Sequence, residues 1–192
     1  MNRHKVHVSN VPIGNYRLSR VEYDRAVEAG VFAADAKLEL IDGDLRAMTP
    51  EGSRHALGID LVADYLRRVF SPGCYVRIQH PLATDDYSEP EPDVAVVTGV
   101  MRDYRDAHPT SAVLVVEVAI ESLQHDRSVK QSVYARCGIP EYWILAIPEA
   151  RLEVYRDPDA DGYRSVTKHA AGDSVAPAAR PQARIVVNDL LP

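Results

Sequence analysis

Val113-Leu114-Val115-Val116-Glu117-Val118-Ala119-Ile120 is the most apolar stretch of the chain, and a single acid interrupts it. Side chains alternate across a strand, so Leu114, Val116, Val118 and Ile120 fall on one face and Val113, Val115, Glu117 and Ala119 on the other. Both faces are apolar except at Glu117. A strand of that kind is central to its sheet and covered on both sides, so the rest of the chain has to supply two covering layers. Burying an isolated carboxylate there costs several kcal/mol unless something compensates it. Two kinds of partner are open to Glu117: a cation on the following helix, Lys130 or Arg136, or a metal ion at the wet edge of the sheet.

Downstream of this strand, residues 126–137 read as a helix ended by Gly138 and Pro140. Residues 142–147, 151–155 and 163–168 are strand-like, with Asp161-Gly162 marking a turn before the last, and 184–187 is a further short strand. Upstream, 93–97 is an apolar run preceded by a polar loop over 84–92, and 75–79 reads as another strand. A long helix is expected over 53–70, where Leu57, Leu61, Val62, Tyr65, Leu66 and Val69 recur at helical spacing and Pro72-Gly73 stops it. Before it, 37–41 and 44–48 form a hairpin across Asp42-Gly43, a strong two-residue turn signal. The first helix opens at Ser19 with Glu22 three residues on, a capping box. It takes Tyr23, Ala26 and Val27 as its apolar face and ends at Gly30.

Helix, strands, helix and strands in this order predict an α/β (α+β) domain, a mixed β-sheet flanked by helices. The alternation is too irregular for a Rossmann fold and no glycine-rich phosphate loop is present, which argues against a nucleotide-binding enzyme. Residues 16–192 form one domain, and residues 1–15 are expected to be a disordered extension. At 192 residues, 46% hydrophobic and 26% charged, the composition is that of an ordinary globular domain. No apolar stretch approaches the roughly 20 residues of a membrane helix, and residues 1–10 lack the apolar core of an export signal. A cytoplasmic protein is expected, with Cys74 and Cys137 as reduced thiols; two cysteines cannot make a four-ligand zinc site. The net charge of −6 argues against a general DNA-coating protein. It leaves a nuclease open, because metal-binding carboxylates belong to that count. Arg67 with Arg68, and Arg102 with Arg105, read as solvated surface.

Asp93 stands between Pro92 and a strand in Glu91-Pro92-Asp93-Val94-Ala95-Val96-Val97. The fixed φ of Pro92 sets the entry of the chain and so places the Asp side chain reproducibly. It is either an ordinary turn aspartate or half of a catalytic pair: a Pro-Asp opening one strand and a Glu within the next is the carboxylate pair of PD-(D/E)XK nucleases. Glu39, between Leu38 and Leu40 in a strand, is a third acid. Two unit charges about 4 Å apart repel by roughly 4 kcal/mol at the dielectric near a protein surface, so three acids sharing a small volume require protons or a cation. All-oxygen ligation suits Mg²⁺ or Mn²⁺ better than zinc. The lysine of the nuclease pattern would lie two residues after the Glu, where this chain has Ala119. Lys130, one element later, has the reach to replace it. Alternatively it forms a surface helical pair with Asp126, worth a few tenths of a kcal/mol. His55 either contacts phosphate or moves a proton, or has a capping or surface role at its helix start. Gln79 either orients a water or makes a plain backbone hydrogen bond. Tyr134, one turn beyond Lys130, is expected to pack over it, and Tyr142 and Trp143 are core or interface aromatics.

Taken together, these segments resemble the Uma-two family of restriction-endonuclease-like proteins. The similar pieces run in order: Leu38-Glu39-Leu40-Ile41-Asp42-Gly43-Asp44; Met48-Thr49-Pro50-Glu51-Gly52 with His55; Gln79-His80-Pro81-Leu82; Glu89 to Val97; Val116-Glu117-Val118; Asp126-Arg127 with Lys130 and Tyr134; and Gly138-Ile139-Pro140-Glu141-Tyr142-Trp143. The resemblance covers roughly residues 16–191. It implies a PD-(D/E)XK core whose lysine has moved onto the helix, and hence a metal-dependent endonuclease with Glu39, Asp93, Glu117 and Lys130 as its site. It also implies Mg²⁺ or Mn²⁺ as cofactor, nucleic acid as partner with DNA ahead of RNA, and, by analogy with restriction enzymes, a homodimer. One departure is local: where the family has a Ser-Pro-Ser-like turn, this chain has Ala119-Ile120-Glu121-Ser122. The competing expectations are a non-catalytic nucleic-acid-binding or accessory protein on the same fold, and a hydrolase of small phosphoesters.

Overall fold

A computed structural model describes residues 16–33, 35–48 and 52–192, so the expected extension over residues 1–15 lies outside the described residues. Ten strands and three principal helices build it. The first helix, α1, runs Arg20–Glu28 and opens on the Ser19/Glu22 capping box, with both reciprocal bonds made. Strands β1 (Leu38–Ile41) and β2 (Asp44–Ala47) pair antiparallel. Asp42 and Gly43 between them both have positive φ, as a two-residue hairpin turn demands. Helix α2 is Ser53–Phe70, the full span that the apolar periodicity predicts. Leu57 is the one residue of that predicted face that points outward, 48% exposed.

Strands β3 (Cys74–Ile78), β4 (Val94–Thr98), β5 (Leu114–Ala119), β6 (Glu141–Ala146), β7 (Arg151–Asp159) and β8 (Gly162–Ala170) form one sheet in sequence order. All neighbours are antiparallel except β5 and β6. A parallel pair needs a crossover, which residues 123–136 supply as helix α3. Its segments are α-helical over Leu123–His125, π-helical over Asp126–Lys130 and α-helical again over Gln131–Arg136. Short strands β9 (Ser174–Val175) and β10 (Ile185–Val186) close the chain as a separate pair; the former lies in a segment with no strand pattern of its own.

Each sheet face carries one helix. Ile59, Val62, Ala63, Leu66 and Phe70 of α2 pack on Val94, Val96, Leu114, Val116, Val118, Trp143 and Leu145. On the other face Tyr134 and Ala135 of α3 pack on Ala95, Val97, Val115, Ala119, Tyr142 and Ile144. β5 is therefore covered on both sides, as its two apolar faces predict, and Trp143 and Tyr142 are fully buried core residues. Cys74 and Cys137 are unpaired. Among the described residues no helix is long and apolar enough to cross a membrane.

Gly58 lets α2 approach β5 closely one turn after His55. A Cβ there would sit 2.9 Å from Val118 Cγ1 and 3.4 Å from Ile147 Cδ1. Val118 is β-branched and stiff in its strand, so it yields little. Gly58→Val is expected to lower unfolding free energy by about 1–3 kcal/mol, the usual range for overpacking. Denaturant titration measures it, and an unchanged midpoint would show that the helix has room to shift.

Candidate active site

The site begins with register. Val94 pairs with Val116 across β4 and β5, so one step further along the antiparallel ladder Asp93 lies beside Glu117. The two acids share the face on which Ala95, Val115 and Ala119 pack under α3. The Asp93 backbone N–H donates to Glu117 Oε2 at 3.4 Å, and the Val118 N–H donates to Asp93 Oδ2 at 2.7 Å. Pro92 leads the chain into β4, and the bonds to β5 hold the aspartate.

α3 closes over this pair. Lys130 Nζ donates to Glu117 Oε1 at 3.1 Å, and the Tyr134 hydroxyl donates to the same oxygen at 2.8 Å. On its other side Lys130 Nζ lies 3.2 Å from Glu39 Oε2, which also accepts the Glu91 N–H at 3.3 Å. His55 Nε2, from the first turn of α2, is 3.4 Å from Asp93 Oδ2. Asp126 Oδ2 accepts the Ser122 hydroxyl at 2.6 Å. Gln79, just beyond β3 and at positive φ, ties its N–H to the Asp93 carbonyl at 3.1 Å. Glu39, His55, Gln79, Glu91, Asp93, Glu117, Asp126 and Lys130 all line one cleft of about 420 Å³, with Arg46 and His125 also in its wall.

The structure thus brings together Glu39, Asp93, Glu117 and Lys130, and with them His55, Gln79 and Tyr134. One detail goes beyond the expectations, and two alternatives left open by the sequence are decided. Tyr134 does not merely pack over Lys130; it is fully buried and hydrogen-bonds Glu117. His55 does not serve as a cap, since its helix is capped at Gly52 with no side-chain bond. Asp126 and Lys130 are not a surface pair: they are 2% and 7% exposed. The reason is the π-helical turn that both belong to, closed by the Gln131 N–H donating to the Asp126 carbonyl five residues back. Such turns are rare and concentrate at functional sites. Asp126 and Glu91 are site residues that the residue-by-residue reading missed. Ser122, four residues before Asp126, is the available hint that this acid is held inward.

Charge in the cleft is unbalanced. Glu39, Asp93, Glu117 and Asp126 are buried carboxylates, and Lys130 is the one lysine among them. Burial pushes Glu117 well above the usual carboxylate range; Lys130 opposes this, while Asp93, Asp126 and Glu39 add to it. Burial lifts Asp126 to about 6 against the pull of Lys130 and Ser122. Glu91 is raised by burial and by Glu39. Burial alone would lower Lys130, but Glu117, Glu39, Asp126 and Asp93 outweigh it and hold the ammonium above its ordinary value. For the acids burial is the leading cause and the neighbouring carboxylates add to it, whereas for Lys130 the surrounding acids outweigh burial.

Among the described residues, no three His, Cys, Asp or Glu side chains are disposed to hold a metal ion as they stand. Lys130 bridges Glu39 and Glu117, and Asp93 is turned to Val118 and His55.

The family model described as "Putative restriction endonuclease" (Uma2) matches residues 20–187. The chain belongs to the Uma2 family. That match contains every acid of the cleft together with Lys130, and it points to a nuclease. Among solved structures, the Uma2 chain is similar to a protein from Anabaena variabilis ATCC 29413 described as "a putative nuclease belonging to DUF820". The TM-score is 0.66 at 15% identity, over 80% of this chain and 88% of that one. At that identity the likeness shows the fold alone, a mixed α/β fold shared with that protein. No curated protein matches the chain.

Proposed function

We propose that this Uma2 protein is a divalent-metal-dependent endonuclease that hydrolyses phosphodiester bonds in DNA. The observation that carries the reading is the convergence of Asp93 and Glu117 on one cleft wall with Lys130 Nζ 3.1 Å from Glu117. Hard carboxylate oxygens from Asp93 and Glu117, with Glu39 beside them, fit Mg²⁺ or Mn²⁺ by donor type. The excess of buried acid over base supports the same conclusion, because a dication would offset it. When bound, such an ion acts as a Lewis acid toward the phosphate and lowers the pKa of an attacking water.

The chain's own groups do the rest. Lys130 is a fixed hydrogen-bond donor at the acid pair. It is suited to orienting the attacking water or to stabilising negative charge on the phosphoryl oxygens. Tyr134 and Lys130 both donate to Glu117 Oε1, so its carboxylate is held in one orientation. His55 Nε2, 3.4 Å from Asp93 Oδ2, is placed to pair with that carboxylate when the imidazole is protonated.

One observation favours a second reading, a nucleic-acid-binding protein that has kept the fold without turnover. Lys130 already neutralises part of the acid cluster, as an internal cation would. The test separates the two. Plasmid DNA incubated with pure protein and Mn²⁺ or Mg²⁺ should be cut, EDTA should stop it, and Asp93→Ala should lose at least about a hundredfold in rate, on the scale of removing one electrostatic catalytic group. Binding of DNA without cutting by wild-type protein would favour the second reading. Cutting that survives Asp93→Ala would sink the first.

A further inference from the structure

Asp126-Arg127 is a motif whose second residue plays no part in the cleft. Arg127 lies inside the π-helical turn, three residues before Lys130, and faces a different strand. Its Nε donates to Glu153 Oε2 at 3.0 Å and its Nη2 to Glu153 Oε1 at 2.6 Å, a bidentate pair, while Nη2 also reaches Glu149 Oε2 at 2.8 Å. Glu153 is wholly buried on β7 and is further held by the Tyr155 hydroxyl at 2.9 Å and Arg151 Nε at 3.1 Å. That makes it a rigid anchor, since its carboxylate has no freedom to follow a moving partner.

The sheet order β5-β6-β7 puts one strand between the two anchors, so Glu117 and Glu153 lie about 10 Å apart across the sheet at the usual strand spacing. Helix α3 lies over that gap. Its π-helical turn sends Lys130 to β5 on one side and Arg127 to β7 on the other. Two contacts to strands on either side of β6 fix the roll of the helix, which one contact cannot. A π-helical turn also has poorer intrinsic stability than the regular helix around it and needs outside support. Bidentate Arg–carboxylate pairs supply both energy and direction.

We infer that Arg127 is a positioning residue: its clamp on Glu153 and Glu149 sets the roll of the π-helical turn and thereby holds Lys130 Nζ at Glu117 and Glu39. For catalysis this rests on the nuclease reading, but the geometry can be tested apart from it. In the full-length folded protein, without metal, the acylation rate of Lys130 by an amine-reactive ester is measured peptide by peptide. Wild-type Lys130, buried and doubly paired, should react slowly. In Arg127→Gln it should react at least about ten times faster, while in Arg151→Gln, which removes a Glu153 partner outside the turn, it should react as in wild type. Arg127→Lys restores the charge but not the bidentate geometry and should fall between the two. In cleavage assays Arg127→Gln should lower kcat with KM little changed. Protection of Lys130 in folded Arg127→Gln equal to wild type, or equal exposure in Arg151→Gln, would overturn the inference. If Arg127→Gln does not fold, Arg127→Lys decides, with wild-type protection of Lys130 counting against it. Should Lys130 become exposed as expected in a protein that cuts nothing, the clamp stands and the nuclease reading fails.

Discussion

Lys130→Met is expected to cost stability and activity together, and to do so more at high pH than at low. The ammonium lies between Glu117 and Glu39, at 3.1 and 3.2 Å, with all three groups buried. Breaking a buried ion pair by removing one partner typically costs 3–5 kcal/mol, because the abandoned charge stays buried. Here two carboxylates lose their cation, and Asp126 and Asp93 are close enough to feel the change. The sign of the pH effect follows from the acids. A carboxylate whose pKa is raised by folding favours the folded state below its unfolded value, near 4, and opposes it as pH rises through the folded value. Asp126 is already raised to about 6 and Glu117 is raised well above the ordinary range with Lys130 in place. Without Lys130 both rise further. The deficit should therefore be largest near pH 8 and should shrink toward pH 5, as the acids take up the protons that replace the ammonium. Denaturant unfolding of both proteins at the two pH values measures this. Cleavage should fall by about 10²–10³, the cost of removing one preorganised donor from charge developing in the transition state. A deficit that is equal at both pH values would mean that Lys130 contributes packing rather than charge.

Most of this arrangement was legible in the chain, and the parts that were not have physical reasons. Strand β5 announced itself because an eight-residue run with two apolar faces has no other economical placement. Pro92-Asp93 ahead of β4 and Glu117 within β5 were legible as a candidate pair, but the face they share is fixed by the Val94–Val116 register, which has no local signature in the sequence. Helix α2 and the β1–β2 hairpin were marked by periodicity and by Asp42-Gly43. The π-helical turn was not. It depends on a single i+5 bond from Gln131 to Asp126 and on tertiary anchors at Glu117 and Glu153, none of which has a local signature. With a regular helix assumed, Asp126 and Lys130 can be read as a solvated pair as well as a functional one. In the fold they are inside, and Tyr134 follows them onto Glu117. His55 was ambiguous for a similar reason: only the close seat of α2 on β5, permitted by Gly58, brings its ring to Asp93.

Glu117→Gln should behave in the opposite way, losing function while keeping the fold. A charge-removing change at an over-acidic site relieves repulsion, since burial and the neighbouring Asp93, Asp126 and Glu39 already disfavour the ionised form of Glu117. The amide oxygen still accepts from Lys130 and Tyr134, and Lys130 keeps Glu39 as its counter-ion. What is lost is the acceptor for the Asp93 N–H, a long 3.4 Å bond whose net worth is about 1 kcal/mol. Unfolding free energy in metal-free buffer should stay within about 1 kcal/mol of wild type. A divalent cation, by contrast, needs a carboxylate there: an amide oxygen is neutral and weakens both the pull on the ion and the drive to bind it. Losing a direct ligand should exceed the 10- to 100-fold effect common for groups one shell further out, so calorimetry should find Mn²⁺ binding at least about a hundredfold weaker, with cleavage lost in step. The pair of variants then divides the roles. With both results in hand, Lys130 would be the group that holds the folded site together against its own acids, and Glu117 the acid kept, at a standing electrostatic cost, for the proposed ion. Mn²⁺ bound equally well by Glu117→Gln would remove Glu117 from the proposed ligands. A loss of several kcal/mol, like that expected for Lys130→Met, would reduce it to a structural counter-ion of the lysine.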